Sequence, residues 1–385
     1  MSRDRFNQIW RNLHIMDNAK DDKTDKLYKV RFLLDHLKSH FSANFIPNGN
    51  FTVDESMVKW KGRLSWRQFM PNKPIRFGIK IWSLCDSLTG YMYNFQVYTG
   101  KVDGHAEKNL SSRVVTDLVT PLYNTYAKVC FDNFFTGFSL LQELFLHKIY
   151  AWGTVRANRK DLPKNLISKT LKLKKHEYKI APKNNFLFVC WQDTKKVNFL
   201  SNFHSPQTMG TVNRRGGDRP RAQIGVPQVV EDYQRQMKGV DLCDQNVSYY
   251  MGSLKSVKWW RRLFFYFTQV SVFNSYVFAK SCNPATVSQK YPDQLHFIEA
   301  LAYGLIGKYR ANNANPNPYL ELAPHPTALH EIKKLSANKR VCRECAINKP
   351  NMPSNRKVTK YCCDVCKIPV HIKCQGDHMR RVANR

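Results

Sequence analysis

The spacing of apolar residues changes from helical to strand-like near residue 50. Apolar side chains recur three and four positions apart over residues 5–13 and 28–41, which predicts two helices in the first part of the chain. β-Branched and aromatic residues then dominate three runs separated by turn sequences, which predicts consecutive antiparallel strands at residues 51–60, 75–85 and 91–98. A helix near 106–123, a buried strand at 127–131 and a helix at 137–148 complete the order βββαβα.

The second half of the chain is more basic and then returns to helical spacing. Residues 152–225 contain 16 basic and 4 acidic residues, with strands predicted at 186–191 and 196–203 and a loop at 214–221. Helices are predicted at 229–250, 258–280 and 293–309, and the proline-bearing residues 312–326 are predicted to be a linker.

These patterns divide the chain into six predicted parts. They are a first helical segment (1–48), the first part of a core (49–151), a basic insertion domain (152–228), the last core helix (229–250), a second helical segment (251–326) and a Cys/His-rich domain (327–385).

The charge of the chain favours a polyanionic partner. Sixty-one Lys and Arg face 29 Asp and Glu, giving a formal net charge of +32, and 43% of the residues are hydrophobic, which argues against a generally disordered chain. Polar residues interrupt the most apolar stretch, Leu263 to Ala279, so no membrane span is predicted. The start of the chain has no apolar leader, which argues against secretion, and nucleic acid is the expected partner.

Aspartates stand out in this basic chain because they lie in apolar segments. Asp54 lies in the first predicted strand, Asp132 ends the fourth, and Asp241 and Asp244 share one face of a helix at i and i+3. A buried carboxylate is costly unless a positive charge neutralises it. We therefore predict two Mg²⁺ or Mn²⁺ ions, about 3.5–4 Å apart, that support phosphodiester chemistry at these residues. Any one of the aspartates alone is more simply a turn or cap residue, and Glu55 is left out because successive strand residues face opposite sides.

The C-terminal residues carry soft ligands at zinc-binding spacing. The candidate ligands are His330, Cys342, Cys345, Cys363, Cys366, His371, Cys374 and His378. Eight ligands suit two tetrahedral Zn²⁺ ions, and free surface thiols are the alternative. The order of the ligands leaves open which pairs share an ion, with an interleaved cross-brace as one arrangement, and Cys362 competes with Cys363.

Three basic groups are candidates for contacts with DNA phosphates. They comprise Arg156, Arg159 and Lys160; Arg214 and Arg215; and Lys255, Lys258, Arg261 and Arg262. The last group lies at the start of a helix, where backbone N–H groups also favour phosphate. The alternative is that Trp259 and Trp260 belong to the core and that the neighbouring charges are solvated.

The element order, with Asp54 on the first strand and Asp132 at the end of the fourth, resembles a ribonuclease H-like core. We therefore predict an α/β fold with a ribonuclease H-like mixed sheet, a basic insertion, a flanking helical domain and a C-terminal zinc-binding domain, for which a cross-brace zinc finger is one arrangement.

Short segments along nearly the whole chain together resemble the piggyBac family of DNA transposases and the host genes derived from them. The segments are Arg5-Phe6, Leu13-His14, Val53-Asp54-Glu55-Ser56, Lys61-Gly62-Arg63, Pro71-Asn72-Lys73-Pro74, Phe77-Gly78-Ile79-Lys80, Phe131-Asp132-Asn133-Phe134-Phe135, Gly153-Thr154-Val155-Arg156, Asn158-Arg159-Lys160, Gly239-Val240-Asp241, Asp244-Gln245, Lys258-Trp259-Trp260 and the Cys/His tail.

The resemblance implies cut-and-paste transposition at TTAA targets through DNA hairpin intermediates. It places the catalytic aspartates at Asp54, Asp132 and Asp241, with Asp244 as a fourth essential acid. It further implies terminal-repeat DNA as the partner, a homodimer formed through the helical segments, a tail that binds terminal-repeat DNA, and the nucleus as the location.

Two departures from the family pattern bear on this reading. The chain starts where the family's homology region is already under way, so a preceding region is expected to be missing, and His371 stands where many relatives have Cys. The alternatives are a domesticated, catalytically silent DNA-binding or chromatin protein, and an interaction module whose finger reads a protein tail. Four costly carboxylates favour the enzyme.

Overall fold

The computed structural model describes most of the chain up to residue 307 and short stretches after it. The described residues are 1–45, 49–101, 105, 107–216, 219–252, 256–307, 332–334, 340–342, 344–345, 358–363, 368–371, 374 and 378. The chain separates into two compact units, Met1–Phe278 and Ala279–Arg385.

The first unit alternates helices with the strands of a large sheet. Its helices are α1 (Arg3–Asn12), α2 (Arg31–Asn44), α3 (Leu110–Val119), α4 (Phe138–Leu146), α5 (Lys164–Ile167), α6 (Gln228–Gln236), α7 (Gly239–Tyr249) and α8 (Trp259–Cys282), the last of which continues past the unit boundary. Its strands are β1 (Asn50–Lys59), β2 (Gln68–Phe69), β3 (Phe77–Asp86), β4 (Met92–Val97), β5 (Lys128–Phe131), β6 (Tyr150–Thr154), β7 (Tyr178–Lys183), β8 (Phe186–Gln192), β9 (Lys196–Ser201), β10 (Met209–Gly216) and β11 (Arg219–Pro227).

The second unit holds two helices and four short strands among its described residues. They are α9 (Pro284–Lys290), α10 (Gln294–Ile306), β12 (Ile332–Lys334), β13 (Arg340–Val341), β14 (Val358–Thr359) and β15 (Tyr361–Cys363). β12 pairs with β15 and β13 pairs with β14, both antiparallel.

The main sheet is mixed, as the sequence predicts. Its order is β2-β3-β1-β5-β6-β9-β8-β7, with β4 also paired to β3; β1, β5 and β6 run parallel to one another. The α/β class is confirmed, and so is the βββαβα order apart from the two-residue strand β2, which the sequence did not predict. β7, β8 and β9 extend this sheet, so the first strands of the basic segment continue the core, whereas β10 and β11 form a separate hairpin.

Both faces of the sheet are buried around its parallel strands. In β5, Val129 and Phe131 belong to a core shared with α3 and α4, whereas Cys130 belongs to a second core that includes Val229 and Val230 of α6. Parallel strands are usually covered in this way on both faces, which explains the nearly continuous apolar sequence of β5.

The single helix predicted over residues 229–250 is wrong, because two helices occupy this segment. α6 ends at Gln236, whose carbonyl accepts a hydrogen bond from Thr52 Oγ1 at 2.5 Å. A Cβ at Gly239 would lie 2.8 Å from the carbonyl oxygen of Asp86, so glycine allows α7 to begin in close contact with the sheet. The break therefore sets the position of α7 over β1.

The prediction of a loop over residues 214–221 is also wrong, because strands β10 and β11 extend into this segment. β10 and β11 pair from Met209↔Pro227 as far as Gly216↔Arg219, and Val212 and Val226 are buried against the second core. Burial of these two valines stabilises the hairpin, although the charged residues near its tip favoured a loop in the sequence.

Asn274 supports the sheet from α8. Its side-chain oxygen accepts a hydrogen bond from Met92 N at 2.9 Å, and its Nδ2 donates to Met92 O at 2.9 Å. Asn274 is 3% exposed, so these bonds satisfy a buried amide and the backbone of β4 together.

Replacement of Asn274 by Leu is expected to lower the free energy of unfolding of this unit by about 1–3 kcal/mol, because two buried backbone groups lose their partners. The measurement is the denaturant midpoint of tryptophan fluorescence. Ser275→Ala, a change at an exposed position of the same helix, serves as the control. An Asn274→Leu midpoint equal to that of the control would show that this pair does not stabilise the unit.

Candidate functional site

Asp54 lies on β1 between β3 and β5. The register pairs it with Ser83 of β3, and its Oδ1 accepts a hydrogen bond from the N–H of Glu55 at 2.7 Å. Burial, followed by the negative charge of Glu55, raises the pKa of Asp54 to about 7; Lys73 opposes this shift and Asp132 adds to it. A nearby cation would lower this pKa and favour the ionised carboxylate at neutral pH.

Asp132 lies beside Asp54 because β1 and β5 are parallel. Val53 pairs with Phe131, and each aspartate is the next residue in its strand direction. Asp132 Oδ1 accepts a hydrogen bond from Phe134 N at 2.8 Å, while burial raises the pKa of its carboxyl group. The sequence prediction that these two residues meet at one end of the sheet matches this register.

The acids of α7 approach from a helix packed on β1 and β3. Asp244 is hydrogen-bonded to Tyr266 Oη of α8 at 3.3 Å and also to Ser56 of β1. Burial raises the pKa of Asp244 to about 6 despite these bonds. Asp241, one turn earlier, is exposed. The two acids therefore differ, since Asp244 connects three elements and Asp241 faces the solvent.

Lys73 lies among these carboxylates, although the sequence predicted no role for it in the site. Its Nζ is 3.4 Å from Glu55 Oε1 and donates a hydrogen bond to Glu55 O at 3.3 Å. Burial opposes its charge, but the charges of Asp54 and Glu55, with a contribution from Asp241, raise the pKa of Lys73. The available signal was the lysine in Pro71-Asn72-Lys73-Pro74, whose side chain reaches back to β1.

Glu55 is closer to the site than strand alternation predicts. Lys80 Nζ lies 4.0 Å from Glu55 Oε2, so Glu55 contacts two lysines. A cleft of about 470 Å³ is lined by Glu55 and Lys73 together with Asp241, Asp244 and Arg262. Acidic and basic side chains thus share the wall of one cleft beside the aspartates.

The residues present suit a hard divalent cation. Carboxylate oxygens are the preferred ligands of Mg²⁺ and Mn²⁺, and burial leaves the charges of Asp54 and Asp132 poorly compensated. In the described part of the chain, the four aspartates do not bring three ligand atoms within 4.8 Å of one another, so the side chains do not form a closed cage. Asp54, Asp132 and Asp241 stay the predicted ligands of these ions.

The C-terminal unit contains a compact Cys/His cluster. The ligand atoms of Cys342, Cys345, His371 and Cys374 all lie within 4.8 Å of one another. Cys345 Sγ is 3.3 Å from His371 Nδ1 and 3.5 Å from Cys374 Sγ. His371 Nε2 is 2.8 Å from Val358 O, so a proton on Nε2 would be donated to that carbonyl and leave Nδ1 toward the sulfurs. Burial and the neighbouring thiols raise the pKa of Cys374.

The cluster contains the first ligand pair, Cys342 and Cys345, and the third pair, His371 and Cys374, but not Cys363 of the second pair. This is the interleaved order of a cross-brace, which the sequence left open. Of the remaining candidates, Cys363 is buried on β15, and His378 Nδ1 lies 3.5 Å from Glu344 Oε1. Cys366 and His330 lie outside the described residues, so the second zinc site stays a prediction. Cys362 Sγ donates to Cys363 O at 3.4 Å.

Two of the predicted DNA contacts are held beside Asp132. Arg156 Nε donates to Asn133 Oδ1 at 2.7 Å, and Arg159 donates to the carbonyl of Phe134. Lys160 is exposed, Arg214 forms an ion pair with Asp193 at 3.1 Å, and the side chain of Arg215 lies outside what the structure describes.

The third basic group is divided between the surface and the interior. Lys258 is exposed, Arg262 lines the cleft, and Lys255 is outside the described residues. Arg261 does not fit a phosphate contact, because it is 5% exposed and stacks 4.4 Å from the Trp10 ring. It donates to the carbonyls of Trp10 and Arg11 in the last turn of α1 and of Leu13 just after it. Trp260 is buried and Trp259 packs against Trp66 at 5.2 Å, so the structural alternative holds for the tryptophans.

The sequence profile of the family described as Transposase IS4 matches residues 1–276. The chain belongs to this family, in its piggyBac-type branch. It is 29% identical to the human PiggyBac transposable element-derived protein 3 over 98% of this chain and 63% of that protein. It is 28% identical to the human PiggyBac transposable element-derived protein 2 over 73% of this chain and 49% of that protein. The chain thus spans about half to two thirds of these relatives' length.

A solved structure shares the fold. The cryo-EM structure of a piggyBac transposase synaptic complex with hairpin DNA aligns with a TM-score of 0.70 and 23% identity, over 97% of this chain and 78% of that chain. The predicted family and fold class are confirmed. In the described residues, no helix is both long and apolar enough to cross a membrane.

The raised pKa of Asp54 predicts a pH-dependent response to metal. Its folded pKa of about 7 exceeds the ordinary value of 3.8, so its contribution to stability is present below pH 4 and is lost as pH rises through 7. Mn²⁺ neutralises the ionised group and should therefore raise the melting temperature of zinc-loaded protein more at pH 8 than at pH 5.5. Asp54→Asn is expected to reduce this difference and Asp35→Asn, at an exposed carboxylate, to keep it. Equal shifts at both pH values would contradict the assignment.

The Cys/His cluster predicts stoichiometric zinc loss. Cys345→Ala is expected to lower the bound zinc by about one ion per chain, because a structural site needs four ligands. The measurement is elemental analysis of purified protein. Cys282→Ala removes an exposed thiol outside the cluster and should leave the zinc content unchanged. Full zinc retention in Cys345→Ala would exclude this ligand.

Proposed function

We propose that this chain is a DNA transposase that cuts and rejoins strands at TTAA sites with divalent metal ions. The observation that carries the proposal is the parallel register of β1 and β5, which puts Asp54 and Asp132 side by side under the acids of α7. Family membership supports the reaction class, and the net charge of +32 supports a DNA substrate.

In this proposal Asp54, Asp132 and Asp241 hold Mg²⁺ or Mn²⁺. When bound, such ions activate an attacking water or 3′-hydroxyl and stabilise the leaving oxygen. Asp244 keeps α7 in place against β1 and α8 through Ser56 and Tyr266.

Lys73 supplies positive charge at the wall of the cleft in the same proposal. Glu55 fixes its position through the 3.4 Å contact, so the ammonium group is directed toward the place where a phosphate would lie beside Asp241. Arg156 and Arg159, anchored to the loop after Asp132, present their remaining N–H groups near the same end of the sheet.

Assembly and location follow from the same proposal. α1 buries none of its side chains and leaves Phe6 and Ile9 42% and 48% exposed, which suits a homodimer contact through the first helical segment. The C-terminal unit, with two zinc ions, is proposed to bind the terminal-repeat DNA. Since the substrate is chromosomal DNA, the nucleus is the proposed location.

A second candidate is a catalytically silent DNA-binding protein with the same fold. Two human relatives carry the name of transposable element-derived proteins, and the described aspartates do not close around a common point. This candidate predicts binding to DNA without strand cleavage.

Strand nicking distinguishes the two candidates. The purified chain, with Mn²⁺, is expected to nick a labelled duplex that carries the repeat flanking its coding sequence, with TTAA at the border. Asp132→Asn should lower the nicking rate at least about 100-fold, because a metal ligand contributes several kcal/mol to the barrier. Asp35→Asn is the matched control, since that carboxylate is exposed on α2. Binding without nicking, or nicking that persists in Asp132→Asn, would favour the silent protein or a contaminating nuclease.

A further inference from the structure

A cluster of aromatic and lysine side chains lies at the end of the sheet opposite to the aspartates. It comprises Tyr126, Lys128, Lys148, Tyr150 and Phe203, here called the edge cluster. Lys128 and Tyr150 are paired first residues of β5 and β6, whereas Asp132 follows the other end of β5. Four residues of strand separate Lys128 from Asp132, a distance of roughly 13 Å.

The rings and ammonium groups of the edge cluster alternate. Tyr150 lies 5.9 Å from Tyr126 and 5.0 Å from Phe203 between ring centroids. Lys128 Nζ is 4.4 Å from the Phe203 ring, and Lys148 Nζ is 5.8 Å from the Tyr126 ring. Adjacent rings are tilted by 39° and 42°, so they are not stacked face to face, and each lysine lies over one face of its ring. Tyr126 is 55% exposed and Phe203 is 36% exposed.

The backbone holds Tyr126 in a costly conformation. Tyr126 has φ of 58°, in the left-handed region that bulky residues avoid. Lys148 also has a positive φ, of 56°, but it ends α4 in the usual left-handed conformation, with Lys148 N donating to Phe145 O and Ile149 N to Leu144 O. Burial does not offset this cost for Tyr126, because more than half of its surface faces solvent. Strained residues of this type concentrate at binding sites.

The base of the cluster is rigid. Asn202, 3% exposed, accepts a hydrogen bond from Ala151 N and donates from Nδ2 to Leu141 O and Ile149 O. Phe203 follows directly and packs 6.1 Å from the buried Trp152 ring. The exposed ring of Phe203 is therefore positioned by the buried, hydrogen-bonded Asn202 and by Trp152.

The two lysines favour an anionic ligand, and the exposed rings favour one with planar groups. Neither Lys128 nor Lys148 forms an ion pair with a carboxylate in the part of the chain that the structure describes. The stack of Tyr123 on His147 lies nearby but is not part of the proposed site. The negative charge of Glu143 is close enough to affect Tyr123, and it would repel a phosphate there. Exposed aromatic faces with interleaved lysines bind unpaired strands by stacking bases and pairing phosphates.

We propose that the edge cluster binds an unpaired DNA strand, with bases stacked on Tyr126 and Phe203 and phosphates next to Lys128 and Lys148. A paired duplex keeps its bases stacked within the helix and offers only phosphates to this surface. The site is separate from the aspartates and does not depend on their activity.

The location is tested by photocrosslinking on the zinc-loaded full chain without Mg²⁺. A 12-nucleotide thymidine strand with one 5-iodouracil is the probe, and crosslinked peptides are mapped by mass spectrometry. Crosslinks at Tyr126, Tyr150 or Phe203 are expected, and they should persist in Asp132→Asn. Crosslinks confined to other parts of the chain would overturn the proposal.

The energetic contribution is tested with a double variant, Tyr126→Leu with Phe203→Leu. It is expected to weaken binding of the same strand at least about 10-fold, because each stacked base contributes about 1–3 kcal/mol. Phe32→Leu, at a residue of α2 that is 65% exposed, is the matched control and should bind like the unmodified chain. Equal affinity of the double variant and the control would overturn the proposal, as would an equal loss of binding to a blunt 12-base-pair duplex.

Lys148→Gln is a second variant. An unchanged melting temperature would show that it folds like the unmodified chain. It is expected to weaken strand binding and to flatten its salt dependence, because one phosphate contact is lost. Unchanged affinity and salt dependence would argue against the cluster.

Discussion

The parallel pairing of β1 with β5 is the constraint on which the candidate site depends. It places Val53 beside Phe131 and so brings Asp54 and Asp132, 78 positions apart in the chain, to one edge of the sheet. Since side chains alternate along a strand, a slip of one residue would turn Asp54 toward the apolar core that contains Val53. The buried residues of β5 hold this register from both faces, because Val129 and Cys130 belong to different cores.

The electrostatics of the site follow from that register. Burial and mutual repulsion raise the pKa values of Asp54, Asp132 and Asp244, although the chain as a whole is strongly basic. The net positive charge of the chain does not neutralise these carboxylates, because water and salt screen the charges of distant lysines. Lys73, held by Glu55, compensates in part, but a single positive charge cannot neutralise several carboxylates. Divalent ions can, which is why the donor set and its environment suit them.

Sequence reasoning reached the strands and the aspartates because both have local signals. Apolar runs predict β1 and β5, and a carboxylate in such a run is conspicuous at Asp54 and Asp132. It missed Lys73, Glu55 and the burial of Arg261, since these depend on contacts between segments far apart in the chain, such as Arg261 with the end of α1. It also left the zinc pairing open, because spacing defines Cys-x-x-Cys pairs and only folding decides which pairs meet.

The break between α6 and α7 shows how one local detail controls the site. Periodicity alone predicts one helix, since apolar residues at helical spacing continue from Val230 through Met237 to Val240. The interruption arises from the close approach of Gly239 to Asp86 and from the bond that Thr52 donates to Gln236. Thr52 is two residues before Asp54 on the same face of β1, so the contact that ends α6 also sets where α7 starts. The position of Asp241 and Asp244 beside β1 therefore depends on the strand's own side chains, and the strand and the helix form one structural unit of the site.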